Sequence, residues 1–325
     1  IEEVAANVPR LDYSDGTCPS LLLEPTSTNL ITYSEDFSNV AWGKTGNIAV
    51  TLNNVISPDG TLNASTVTGL SGTSTNDLYI LPSFNSANKT VTYSVYLKGS
   101  GTLRINVSNN VDDSSSKTLT LTDNWEKYFI TYSFNATITT QMVCNLDDLS
   151  ATATTYEVWG AQLEENSYAT SYIKTIGTTQ TRVADTASSA GNSTVINSTE
   201  GVLYAEISAL ANDSTIRAIT LSDGSISNYV ALEYSTATNR LIASTSGGGV
   251  FMQTFAYDIT NNLKVGFKYK ENDFALWVNG VEVVVDTLGA VPINLSELAF
   301  DRGDGGSPFY GSAKQIQYFD SALND

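Results

Sequence analysis

The chain predicts an all-β protein of two tandem antiparallel β-sandwich (jelly-roll) domains, and three observations carry that expectation. Short runs alternating apolar with polar residues recur along its 325 residues, and none has the apolar spacing of a long amphipathic helix. A stretch of Thr, Ser, Ala, Gly and Asn between Thr175 and Thr199 divides the pattern in two. The length allows each half to bury its own core, and 41% apolar with 10% aromatic content supplies the material.

The first sandwich is expected over 21–176. Its ends are Leu21 to Trp42 and Tyr156 to Ile173, both dense in β-branched and aromatic residues, as suits first and last strands lying side by side. Between them, Val91, Tyr93, Val95 and Leu97 fall on one face of a strand, and Leu103, Ile105, Val107 and then Leu119, Leu121 repeat the pattern. Lys98-Gly-Ser-Gly101 and Thr122-Asp-Asn-Trp125 read as the turns. A linker over 177–198 leads to a second sandwich over 199–325, from Gly201-Val-Leu-Tyr-Ala-Glu-Ile207 to Phe309 through Phe319. Its clearest part is Leu263-Lys-Val-Gly-Phe-Lys-Tyr-Lys270, which alternates throughout, followed by Phe274 to Val283 with Asn279-Gly280 as a hairpin turn. No heptad repeat is present.

Charge and composition exclude several functions. Sixteen basic against 34 acidic side chains give a net charge of −18, which repels nucleic acid and anionic lipid. No apolar run approaches the ~18 residues that cross a bilayer. The absence of histidine removes Ser-His-Asp and Cys-His catalysis and His-ligated zinc. Two cysteines, Cys18 and Cys144, neither make a disulfide scaffold nor indicate a compartment.

The segments Leu21–Trp42 and Tyr156–Ile173 resemble modular fibre and spike proteins of tailed bacteriophages, especially those of Bacteroidota hosts. Ile1 to Tyr13 and Cys18-Pro-Ser-Leu-Leu-Leu-Glu-Pro25 resemble the connector that precedes this domain there, so residues 1–20 are expected to continue a longer upstream part. The strands Tyr93-Ser-Val-Tyr-Leu-Lys98 and Leu119 to Tyr128 are similar to the carbohydrate-binding-module jelly roll of xylan and cellulose binders. The strand ending in Asn279-Gly280 looks like the concanavalin-A-like, laminin-G-type sandwich. The resemblance implies a non-enzymatic virion fibre or spike segment that touches host cell-surface polysaccharide and other virion proteins, assembled as a homo-oligomer, with a trimer the common form. Its implied place is the virion surface. Two alternatives stay open: a purely structural capsid- or tail-decorating module, and the ancillary carbohydrate-binding region of a secreted bacterial polysaccharide-degrading enzyme.

Sugar binding calls for exposed aromatic faces flanked by amides and carboxylates. The candidates are Tyr79 and Trp159 in the first half and Trp277 and Tyr310 in the second, with Trp42 and Trp125 read as core. Trp277 shares a strand face with Ala275 and Asn279, opposite Phe274, Leu276 and Val278. The resemblance also implies a structural calcium, for which Asp36, Asp301, Asp304 and the pair Asp147-Asp148 offer oxygens. Glu271-Asn-Asp-Phe-Ala-Leu276 lacks the final carboxylate of the Glu-x-Asp-x-x-Glu triplet used by retaining hydrolases of the second fold, and with no histidine either, catalysis is not expected. Lyases using Tyr with Lys or Arg are harder to exclude, because Tyr is plentiful and their motifs are diffuse. Arg302-Gly-Asp304 and the sequons at Asn63, Asn135, Asn192 and Asn294 read as turn composition, with no glycan assigned.

Overall fold

The computed structural model describes residues 8–13, 16, 18–69, 76–147, 155–246 and 249–323, which form strands, turns and irregular segments without helix. Asp148 and the first seven residues of the expected connector lie outside them. The chain forms two compact units. One is Thr26–Val183; the other joins Ala184–Asp325 to the segment ending at Pro25.

In the first unit, one five-stranded antiparallel sheet runs in the order Ser114–Thr120, Thr102–Ser108, Val143–Asp147, Asp77–Ile80, Trp42–Lys44. The other runs Glu126–Ser133, Thr90–Gly99, Thr155–Glu164, Ala64–Thr68, Ala49–Val55. The alternating residues meet in one core: Val91, Tyr93, Val95 and Leu97 with Leu103, Ile105 and Val107. The two turns read from sequence are crossings between sheets, since Thr90–Gly99 and Thr102–Ser108 belong to different ones, as do Ser114–Thr120 and Glu126–Ser133. Trp42 is core, its ring against Phe37 and its Nε1 donating to the Tyr33 carbonyl at 2.8 Å. Trp125 corrects its core reading: it is half-exposed and donates from Nε1 to the Ile56 carbonyl at 3.0 Å, tying a loop.

In the second unit, a seven-stranded antiparallel sheet runs Leu11–Asp12, Ser20–Leu23, Gly311–Phe319, Glu200–Ala209, Leu263–Lys270, Phe274–Val278, Val281–Asp286. A five-stranded sheet runs Phe251–Thr254, Leu241–Thr245, Tyr229–Tyr234, Arg217–Ser222, Glu297–Ala299. Leu203, Leu232, Phe267, Phe274, Leu276 and Phe309 belong to the core of this unit. Asn279 and Gly280 have φ of 52° and 80°, the left-handed pair a two-residue hairpin turn requires.

The expected boundaries move in two places. Ser20–Leu23 does not open the first sandwich. It pairs with Gly311–Phe319 in the second unit through Leu21–Ala313, Leu22–Ser312 and Leu23–Gly311, and Leu23 enters that unit's core. The first unit starts instead at Ser27–Asn29, and Leu30 N donates to the Leu163 carbonyl at 2.8 Å, so this later part of the opening segment does lie beside the closing strand. Nor is 177–198 a free linker. Gln180–Arg182 pairs with Ser27–Asn29 in the first unit, while Ala187 and Ile196 pack into the second core and Ala190 bridges Leu298. The small and polar residues that made this stretch look like a connector still supply enough apolar surface and backbone pairing to be held.

Candidate functional site

The seven-stranded sheet buries one face and leaves the other outward, and alternation decides which side chains go where. Along Glu200–Ala209, Leu203, Ala205 and Ile207 point into the core, leaving Val202, Tyr204 and Glu206 outside. Along Leu263–Lys270 the core takes Leu263, Val265, Phe267 and Tyr269, leaving Lys264, Gly266 and Lys268 on the other face. Trp277 is half-exposed on the outward side of its strand, with Phe274, Leu276 and Val278 buried beneath.

Register then assembles a site. Tyr204 pairs with Gly266, and Gly266 pairs with Trp277, so the two aromatics stand one strand to either side of a glycine. A groove of about 390 Å³ opens there, with Lys264 and Lys268 along its central strand and Val202, Phe319 and Leu323 among its apolar lining. That volume lies within the ~300–1,000 Å³ of small-ligand clefts. Gly266 has no left-handed φ, and a Cβ on it would meet only the Trp277 Cβ at 3.8 Å, an ordinary contact. The fold therefore tolerates a side chain at 266, and its absence is what leaves the notch between the rings. Burial and the Glu206 carboxylate raise the Tyr204 phenol above its ordinary pKa, so it stays a neutral hydroxyl donor. Lys268 is drawn in, its side chain 6% exposed, with Nζ 2.9 Å from Oδ1 of the half-exposed Asp273.

A second surface lies on the first unit. Tyr79 pairs with Asn145, Asn145 with Asn106, and Tyr79 with Gly43, over which its ring lies flat. The Asn145 Oδ1 is buried without a hydrogen-bond partner, and beside it Arg104 Nε donates to both Asp147 oxygens at 2.8 and 2.9 Å. Asp147 is thus held in an ion pair with Arg104.

Other candidates are placed elsewhere. Trp159 is 1% exposed, enclosed by Tyr172 at 4.4 Å and Tyr96 at 5.4 Å between ring centroids. A bulge between Trp159 and Gln162, with Gly160 at φ 64°, lets both Val158 and Trp159 be buried. Val158 joins the core, while the returning chain pairs with the outward side of this strand, Ile173 N donating to Gln162 Oε1 at 2.6 Å. Trp159 therefore has no face open to a sugar. Tyr310 is half-buried in the approach to the last strand and does not line the groove.

Asp36, Asp301 and Asp304, offered for calcium, accept hydrogen bonds within their own turns. Asp36 Oδ1 accepts from Ser38 N, Ser38 Oγ and Asn39 N within its own turn. Asp301 Oδ1 accepts from Gly303 N and Gly305 N, and Asp304 Oδ1 from Gly306 N. Among the described residues no group of three or more acidic or cysteine side chains is placed to share an ion. The Arg302-Gly-Asp304 tripeptide lies against the five-stranded sheet, with Arg302 Nε 3.2 Å from Glu233 Oε1. Both cysteines are free thiols, and burial raises the Cys144 pKa.

Tyr204, Gly266, Lys264 and Lys268 were not singled out in the sequence. Their signal was the alternation of Leu263–Lys270, which sets every second residue on the face of Trp277.

No protein-family model and no curated protein matches the chain. Among solved structures it is similar to the enzymatically active domain of tailspike protein 4 of bacteriophage CBA120, at 13% identity and TM-score 0.35 over 42% of this chain. The match spans 21% of that tailspike chain. A CBM4 structure matches at 14% identity and TM-score 0.29, over 48% of this chain and 92% of that one. Domains LG4-5 of the mouse laminin alpha1 chain match at 9% identity and TM-score 0.30, over 79% and 91%. At these values the similarity says nothing about ligand. Among the described residues no helix is long and apolar enough to cross a membrane.

Proposed function

We propose that this chain is a glycan-binding module and not an enzyme, and that it grips sugar on the outward face of the seven-stranded sheet. One observation carries the reading: a side-chain-free notch at Gly266 with Tyr204 and Trp277 flanking it, in a position where the fold itself tolerates a side chain. A glycine inside a strand costs about 0.5–1 kcal/mol relative to alanine, so its presence here calls for an occupant. A pyranose ring suits the space, its C–H face against an aromatic and its hydroxyls toward Tyr204 and the lysines. The described lining holds no carboxylate, whereas glycoside hydrolysis uses a pair.

The Tyr79–Asn145 strip supports a second contact surface, because its buried amide oxygen lacks a donor that a sugar hydroxyl supplies. The finer role, a fibre or spike segment of a tailed phage touching host polysaccharide in several copies, rests on the resemblance of Leu21–Trp42 and Tyr156–Ile173. Several copies would raise avidity over a weak single site.

The test is a glycan array and host-cell pull-down with the full chain beside Trp277→Ala and Gly266→Val. Both variants are expected to lose at least tenfold in capture with little change in melting temperature. Capture that both variants leave intact would remove the groove from the reading.

A further inference from the structure

We infer that the groove selects acidic polysaccharides, those whose sugars carry a carboxylate, an inference that rests on reading the groove as a glycan site. The chain carries 34 acidic against 16 basic side chains, so a random surface patch is negative. Yet the charged side chains among the groove's described lining are Lys264 and Lys268. They stand four residues apart on one strand, about 13 Å between Cα atoms at the usual rise. Gly266 lies midway, so a ring seated over the notch has an ammonium group on each side along the strand. The nearest carboxylates in register, Glu206 opposite Lys264 and Glu282 opposite Trp277, do not line the groove, and Glu206 Oε1 already accepts from Asn262 Nδ2 at 2.5 Å.

Lys268 sharpens the argument. A lysine drawn in to 6% exposure needs counter-charge, and one source is Asp273, whose own side chain is 51% exposed at 2.9 Å. An ammonium paired with a half-exposed carboxylate is a place where a ligand carboxylate exchanges for the protein's own. Lys264 is exposed beside the same notch and supplies the second cation. The net charge of −18 does not forbid an anionic ligand, because the fields of distant carboxylates are screened over about 8 Å at physiological salt.

The experiment uses the full chain and two polymers, polygalacturonate and alginate, each beside its carboxyl-reduced neutral counterpart, by titration calorimetry at low and high salt. At least one acidic polymer is expected to bind, weakening tenfold or more on carboxyl reduction and severalfold with added salt. Lys264→Gln is expected to weaken binding three- to tenfold; as an exposed substitution it leaves folding intact. Asp273→Asn is expected to tighten it, which a merely structural ion pair would not do. If reduced polymers bind as well as acidic ones and Lys264→Gln has no effect, the charge inference falls while the glycan reading stands. If neither acidic nor neutral polymer binds, and Trp277→Ala leaves host-cell capture unchanged, the glycan reading itself falls. If sedimentation shows oligomers that Trp277→Ala disperses, the groove is a contact between copies and the inference is overturned.

Discussion

Asp59 shows how single carboxylates serve this chain. Burial pushes its pKa up, but hydrogen bonds from Ser57 Oγ, from Thr61 N and Oγ1, and from Asn63 Nδ2 outweigh that and lower it to about 2. A carboxylate depressed in the folded state stabilises it above the unfolded value near 3.8 and loses that contribution as pH falls toward about 2. Asp59→Asn should therefore lower stability at pH 7, by no more than ~1 kcal/mol after discounting for solvent screening. The gap between the two proteins should close between pH 4 and about 2, as followed by urea unfolding. A gap independent of pH would mean that turn geometry, not charge, holds the Ser57–Asn63 loop. At this scale the sequence was readable for Trp277, whose outward direction follows from strict alternation, and unreadable for Trp159. A bulge breaks the period at Trp159 and the later segment carrying Tyr172 and Ile173 covers it, so local spacing carries no trace of its burial.

Pairs of strands account for the next level. Gly43 and Tyr79 face each other across the Trp42–Lys44 and Asp77–Ile80 pair, and a Cβ at 43 would come within 2.1 Å of the Tyr79 Cζ. The phenol ring lies where a Gly43 side chain would stand, covering the edge strand's backbone. Gly43→Ala should destabilise by about 1–3 kcal/mol, the usual penalty of overpacking. Adding Tyr79→Ala should recover part of the loss, a positive coupling in a double-mutant cycle followed by thermal melts. Strict additivity would show that the ring simply swings away. Elements bounded by local chemistry, such as the Leu263–Lys270 strand and the Asn279-Gly280 turn, were legible as sequence because their partners are neighbours. Ser20–Leu23 was assigned to the wrong unit because its partner, Gly311–Phe319, lies far along the chain, and an apolar run of that length fits any half-buried sheet.

For the molecule as a whole, the chain begins one sandwich, builds another, and then finishes the first. Exit and return lie together: Asp185 N donates to the Glu24 carbonyl at 2.9 Å and Glu24 N to Asp185 Oδ2 at 2.7 Å, while Arg10 NH1 holds Glu24 Oε2 at 2.6 Å. This adjacency makes Thr26–Val183 an insertion. Joining Pro25 to Ala184 through a short Gly-Ser linker should give a shorter protein that melts cooperatively and keeps the groove's binding. A chain starting at Thr26 instead should melt its second unit several degrees lower, because Gly311–Phe319 would lose the strand at its edge. Equal melting of the two would mean the N-terminal strands contribute nothing.

The split between Ser20–Leu23 and Gly311–Phe319 also sets a clock on biosynthesis. At roughly 5–20 residues per second, the leucine-rich segment leaves the ribosome roughly 15–60 s before its mate is made. During that wait Leu21, Leu22 and Leu23 have no sheet to join, and crowded neighbouring polysomes offer the same unclosed edge to one another. Yield of native protein should therefore depend on translation speed and on holdase chaperones more than the stability of the finished fold would suggest.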